Sequence, residues 1–331
     1  FRSRWRGGEF FWADHRVNGT QVLPGVAVFE MLRTARGSAT LHVSNVVWLR
    51  PVTASDPEVE LRLRKTGNGD IGFELQNAGV AHVQGTVSEQ NGSAGTLDLA
   101  ALQSQAQAMN VAECYERLQS SGLQLGPDYR GISALYRGNG FVLAKLRLAR
   151  HLHVTLESCP LHPILLDSAV QAWIALDTEE HTAPGVPFAC KAFTSHGPME
   201  ASMWAYVRRH GDSAMRFDID ICTAKGEVRA SFRDLTLRVK TESTAALVFG
   251  SGEWVEAAGV PTGSLAEVLM LPKADGRADV VARQWFGLVH RRIQDWLRAG
   301  LKERRSLLAV APGDTPRYLT APLAALLRTA A

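Results

Sequence analysis

Cysteine is scarce in this chain. Four occur in 331 residues, Cys114, Cys159, Cys190 and Cys222, far apart and without paired spacing. That excludes a disulfide framework and leaves reduced, mostly buried thiols as the expectation. Net charge is equally slight, at +3 from 36 basic and 33 acidic residues that are interspersed along the chain, so nucleic acid is not an expected partner. No apolar run approaches the roughly 18 residues of a membrane span, and Phe1-Arg2-Ser3-Arg4-Trp5 lacks a signal-peptide core. A cytoplasmic protein is expected, away from membranes. The opening, with neither methionine nor polar lead-in, reads as a segment excised from something larger. After Lys240 no Gly-x-Gly-x-x-Gly occurs; Gly250-Ser251-Gly252 lacks the third glycine and the apolar helix that should follow, which argues against a nicotinamide site there. His151, His153 and Cys159 offer no fourth ligand, so they read as loop residues and no metal is expected.

What is present is ordinary globular material, 46% hydrophobic and 21% charged, enough for two or three compact units. Residues 26–36 place Val26, Phe29, Met31 and Leu32 at helical spacings between Pro24-Gly25 and Gly37, and strand-like runs follow at 41–49, 59–65, 71–77 and 81–87. The second half repeats this plan, with a helical run at 163–176 followed by strands at 188–194, 201–209, 214–222 and 228–239. One helix and a meandering antiparallel sheet, twice, is an α+β arrangement. Residues 91–95 read as a flexible break and 98–109 as a polar linker. After Lys240 the pattern changes to a helix at 278–297 with Trp285 and Trp296 in its apolar stripe, a strand at 306–310 and a helix at 321–327, which suggests an α/β piece with parallel strands.

Two short signatures carry the chemistry. His15 lies in Asp14-His15-Arg16-Val17-Asn18-Gly19-Thr20-Gln21-Val22-Leu23-Pro24-Gly25, and Asp167 in Leu161-His162-Pro163-Ile164-Leu165-Leu166-Asp167-Ser168-Ala169-Val170-Gln171. A nitrogen base and a carboxyl acid are the minimum for taking a proton and a hydroxyl from adjacent carbons. The spacing His15, Gly19, Pro24 resembles the first motif of polyketide synthase dehydratase domains. Leu125-Gly126-Pro127-Asp128-Tyr129, Asp167-Ser168-Ala169-Val170-Gln171 and Val186-Pro187-Phe188 resemble that family's further motifs, in its order. Four ordered motifs are far more specific than any one of them.

The resemblance covers residues 1 to about 240 and implies a double hotdog: an N-terminal hotdog at 1–95, a linker at 96–110, a C-terminal hotdog at 111–240. Residues 241–331 resemble the opening of a ketoreductase's structural half. The implied reaction dehydrates a β-hydroxyacyl thioester, held on the phosphopantetheine of an acyl carrier protein, to an α,β-unsaturated thioester. It uses no cofactor beyond that arm, has the carrier and neighbouring synthase domains as partners, and comes with dimerisation as a family expectation. His15 is the base and Asp167 the acid, its carboxyl raised by apolar neighbours. Gln171, one helical turn on, holds that carboxyl. Backbone N–H groups of Gly25 or Val26 at a helix start serve the developing oxyanion, Gly19 and Pro24 fix the turn, and Tyr129 packs. His162 reads as a turn residue. Leu23, Leu125, Pro127, Pro187 and Phe188 are read as tunnel lining. Leu123 and Leu125 stand where the family commonly has tyrosines, which leaves open a same-fold double-bond isomerase or an oxygen-ring-forming cyclase. The rival from another class is a catalytically silent hotdog that docks a carrier or spaces domains. Chain length, α-substitution, hydroxyl stereochemistry and alkene geometry are not written in the sequence.

Overall fold

The computed structural model describes residues 1–5, 8–54, 58–66, 69–89, 94–176, 185–211 and 215–239, together with the strands Ala266–Met270 and Ser306–Val310. The chain divides into two compact units, Phe1–Thr241 and Glu242–Ala331.

In the first unit the N-terminal half runs β1 (Arg2–Arg4), β2 (His15–Val17), β3 (Thr20–Gln21), α1 (Ala27–Arg36), β4 (Leu41–Trp48), β5 (Glu58–Lys65), β6 (Ile71–Asn77) and β7 (Val80–Ser88). Helix α1 stops where its sequence says it should. Gly37 takes φ +61°, its N–H reaching the Thr34 carbonyl at 3.1 Å and that of Ser38 the Arg33 carbonyl at 3.4 Å, the paired bonds of a Schellman ending. Its apolar face carries Phe29, stacked on Phe193 with centroids 3.9 Å apart and edge-on to Trp48 and Phe232, so the helix is the core against which the sheet curls.

The second half continues through α2 (Leu99–Ser104), β8 (Gln107–Met109), α3 (Val111–Ser120), β9 (Leu123–Leu125), β10 (Ile132–Gly138), β11 (Phe141–Arg147), α4 (Pro163–Gln171), β12 (Gly185–Ser195), β13 (Ser202–Arg209), β14 (Arg216–Cys222) and β15 (Val228–Val239). Every residue of α4 is buried, with Pro163 in the first turn where a missing N–H costs nothing. The two halves are therefore alike, each a helix under an antiparallel sheet, and their sheets join edge to edge where β4 pairs with β12. One twelve-stranded sheet results, ordered β1-β5-β6-β7-β4-β12-β15-β14-β13-β11-β10-β8, which is a double hotdog.

The stretch read as a polar linker is more ordered than its composition suggests. Asp98 accepts the Ala101 N–H at 2.9 Å and starts α2, and β8 joins the sheet against β10. Glu30, buried in α1, is held bidentately by Arg33 and also accepts the Leu161 N–H at 2.9 Å, which ties the first helix to the segment entering the second. Cys114, Cys190 and Cys222 are buried free thiols and Cys159 is partly buried. Among the described residues, no helix is long and apolar enough to cross a membrane.

In the second unit β16 (Ala266–Met270) and β17 (Ser306–Val310) pair in parallel, Ala266 opposite Ser306, as the alternating pattern suggested. The helices expected at 278–297 and 321–327, with Trp285 and Trp296, lie outside the described residues.

Candidate active site

Asn18 and Gly19 both adopt positive φ, 48° and 77°, and so close β2 and β3 into the tight hairpin that an Asn-Gly pair favours. The hairpin sets His15 on its wall. The Val22 N–H donates to the His15 carbonyl at 3.1 Å, and His15 Nδ1 meets the Val22 carbonyl at 2.9 Å. A carbonyl only accepts, so Nδ1 carries the proton and Nε2 is left as the bare nitrogen of the neutral ring. Val22 is thus a tautomer-setting residue that sequence reasoning passed over, because its contribution is a backbone oxygen.

Nε2 lies 3.9 Å from Oδ1 of Asp167, too far for a direct hydrogen bond, with His15 6% and Asp167 8% exposed. Burial within α4, every residue of which is buried, pushes the Asp167 carboxyl up from its ordinary value, against the smaller opposing pulls of His15 and of a hydrogen bond from Gln171. The Gln171 amide donates to Asp167 Oδ2 at 2.7 Å and to the Tyr129 carbonyl at 3.1 Å, so the residue one turn along α4 does fix the carboxyl. Tyr129 does more than fill space. Its ring sits 5.2 Å from that of His15, and its hydroxyl donates to the Phe11 carbonyl at 2.9 Å.

The Gly-Pro segment is fastened to the His15 strand. Leu125 pairs with His15 as β9 lies antiparallel to β2, and the Gly126 N–H donates to the Asp14 carbonyl at 2.8 Å. The Asp14 carboxylate accepts the Asp128 N–H at 3.1 Å and so caps the short 3-10 turn Pro127–Tyr129. A Cβ on Gly126 would stand 2.2 Å from Cγ of Asp14, which is why glycine is required there. The fastening was not foreseen from the sequence, where Asp14 is merely the neighbour of His15.

Leu23 is buried, its N–H on the Val52 carbonyl, and the Pro24 carbonyl accepts from Ala27 at 2.9 Å to begin α1. The N–H groups of Gly25 and Val26 precede that bond and find no acceptor among the described residues. Trp48 closes over Gly25, donating to its carbonyl at 2.9 Å. Pro187 and Phe188 lie in β12 at a register shift, and the Phe188 ring lies under the exposed Arg238 guanidinium, 4.0 Å away. No described contact brings either to His15 or Asp167. His162, read as a turn residue, stands at the N-cap of α4. Its ring is fully buried, stacked on Phe10 and hydrogen-bonded to Thr155. His151 pairs with Asp128 and His153 with the Leu148 carbonyl.

Residues 1–78 match the family model described as polyketide synthase dehydratase domain, and residues 94–246 the one described as polyketide synthase dehydratase N-terminal domain. Polyketide synthase PksN of Bacillus subtilis (strain 168) is 31% identical over 288 residues, which is 77% of this chain and 5% of that synthase. PksL of the same organism is 32% identical over 72% of this chain and 6% of its own length. The chain therefore spans only about one-twentieth of these curated relatives. Among solved structures, a trans-AT PKS dehydratase domain from Brevibacillus brevis is 34% identical with a TM-score of 0.67, covering 72% of this chain and 92% of that one. The dehydratase domain of RzxB from Pseudomonas fluorescens is 29% identical with a TM-score of 0.65, covering 72% and 93%. A helix-and-sheet unit repeated in one chain, a buried imidazole facing a buried carboxyl, and a solved domain related over nearly all its length lead to one conclusion: the chain belongs to the polyketide synthase dehydratase domains.

Proposed function

We propose that this chain removes water from a β-hydroxyacyl thioester carried on the phosphopantetheine arm of an acyl carrier protein, with His15 as base and Asp167 as acid. The observation that carries the assignment is the 3.9 Å separation of Nε2 and Oδ1 within one buried site. Nε2 takes the α-proton, and charge passing to the thioester oxygen is met by the N–H groups of Gly25 and Val26 at the positive end of α1. The Asp167 carboxyl, whose protonated form burial favours, gives its proton to the β-hydroxyl, which departs as water. The proton on His15 then returns to Asp167 across the gap, and the inventory closes without a redox or metal cofactor. Base and acid stand side by side, which supports departure of proton and hydroxyl from one face of the substrate.

Leu125 beside His15 favours a second reading within the same fold, a double-bond isomerase or ring-forming cyclase, since the phenols of Tyr115 and Tyr129 are both engaged with backbone groups. The two are separated by mass. Incubation with a β-hydroxyacyl thioester gives loss of one water if the chain is a dehydratase, whereas an enoyl substrate converted at constant mass, with the hydroxyacyl substrate untouched, overturns that reading. A silent hotdog converts neither. The parallel pair β16–β17 is consistent with a neighbouring α/β domain of the ketoreductase kind. Neighbouring synthase domains are the further proposed partners, and light scattering checks the dimer that family membership leads one to expect.

A further inference from the structure

A cleft of about 460 Å³ opens on the outer side of the Gly126-Pro127 turn, lined by Arg130, Arg147, Arg150 and His153 with the hydroxyls of Ser133 and Ser202. All three arginines are exposed, and none is ion-paired with a carboxylate of another described residue. The one acid on the rim, Asp128, is engaged by His151 at 3.1 Å and is flanked by Arg130. Beside the cleft, on the same 3-10 turn as Arg150 and His153, Val154 is 83% exposed, the most exposed large hydrophobic side chain described. Positive charge around a projecting apolar side chain suits a macromolecular partner, because a small anion would gain nothing from the valine.

The cleft also touches the catalytic elements from behind. Pro127 and Asp128 follow Leu125, which faces His15, while Gly131 packs so closely on Ser168, the neighbour of Asp167, that a Cβ there would sit 2.4 Å from its hydroxyl. We infer that Arg130, Arg147, Arg150 and Val154 form the docking face for the carrier protein, receiving a surface of clustered carboxylates around an apolar side chain. This rests on the dehydratase reading for the identity of the partner.

The test compares the full chain with the variant R147E/R150E on one β-hydroxyacyl group presented in two ways, on an acidic carrier protein and on free pantetheine. Charge reversal lowers kcat/KM for the carrier-bound substrate by at least about tenfold, in a salt-dependent manner, and leaves the pantetheine thioester within about twofold of wild type. Equal loss on both substrates, or no loss on either, overturns the docking face. Binding of a fluorescent carrier bearing a saturated acyl chain, read by anisotropy, involves no turnover. Carrier binding that R147E/R150E abolishes, in a chain that dehydrates nothing, sinks the reaction and keeps the docking face; dehydration of both substrates with carrier affinity unchanged does the reverse. If the double reversal does not fold, V154E supplies the same comparison, with the same outcomes deciding.

Discussion

Leu125 stands directly opposite His15 in a pair that makes no ladder hydrogen bonds, since the bonded neighbour is Gly126 N–H to the Asp14 carbonyl. Side chains of such pairs lie on the same face at their closest approach, so the isobutyl group of Leu125 shares a wall with the imidazole. Leu125 is 7% exposed, and its place beside the base keeps that wall dry without offering a proton.

Truncating that wall therefore has two effects. Leu125→Ala leaves a cavity and costs about 2–4 kcal/mol of stability, and it lowers kcat as water reaches the imidazole. Thermal unfolding and turnover, measured together, check this. A variant as stable as wild type means that Leu125 is not packed as described.

The clamp between Asp14 and the Gly-Pro turn gives a second expectation. Gly126→Ala drives a methyl into the Asp14 carboxylate, costing about 1–3 kcal/mol and at least about tenfold in activity as β9 shifts away from His15. Asp14→Ala relieves the clash, so the double variant loses less than the sum of the two. Strict additivity in a double-mutant cycle contradicts the clamp.

Asp167 makes function and stability oppose each other. Its folded-state pKa is raised, so the folded protein binds the proton more tightly, and stability declines as pH climbs from the ordinary carboxylate value towards the folded one. At neutral pH Asp167→Asn removes that penalty and gains about 0.5–2 kcal/mol while dehydration is lost. In the wild type the acid limb of activity holds at low pH and falls as pH rises through the folded value. A D167N variant less stable than wild type at pH 7 and no more so at pH 4 contradicts this.

His162 acts in the opposite direction. Burial lowers its pKa to about 4, so it folds as the neutral ring, and stability is lost as pH falls below about 6.5 towards 4 while the unfolded chain takes up the proton. The full loss is roughly 3 kcal/mol. His162→Phe, which preserves stacking on Phe10, flattens this limb in urea titrations at several pH values; an unchanged slope shows that another group carries it.

The repeated helix-and-sheet plan was legible because its signals are local: Gly37 ends α1, Asn18-Gly19 closes the hairpin, and the strands alternate between turn residues. His15, Asp167 and Gln171 were legible as residue types in ordered motifs, with Gln171 a single turn from Asp167. What escaped is what depends on long-range placement. The Val22 carbonyl and the Phe11 carbonyl act through backbone, which any residue supplies. Asp14 on Asp128 and Glu30 on Leu161 join positions more than a hundred residues apart, and no periodicity encodes them. His162 was legible only as a turn residue before Pro163; its burial rests on long-range packing, with the Phe10 ring stacked on it.

Quantifying water loss from a β-hydroxyacyl thioester by mass spectrometry, for wild type, His15→Ala and Asp167→Asn, tests the paired assignment most directly. Wild type releases one water per substrate, and each single variant is slowed by about a hundredfold or more while retaining its fold by circular dichroism. Dehydration by either variant at the wild-type rate contradicts it.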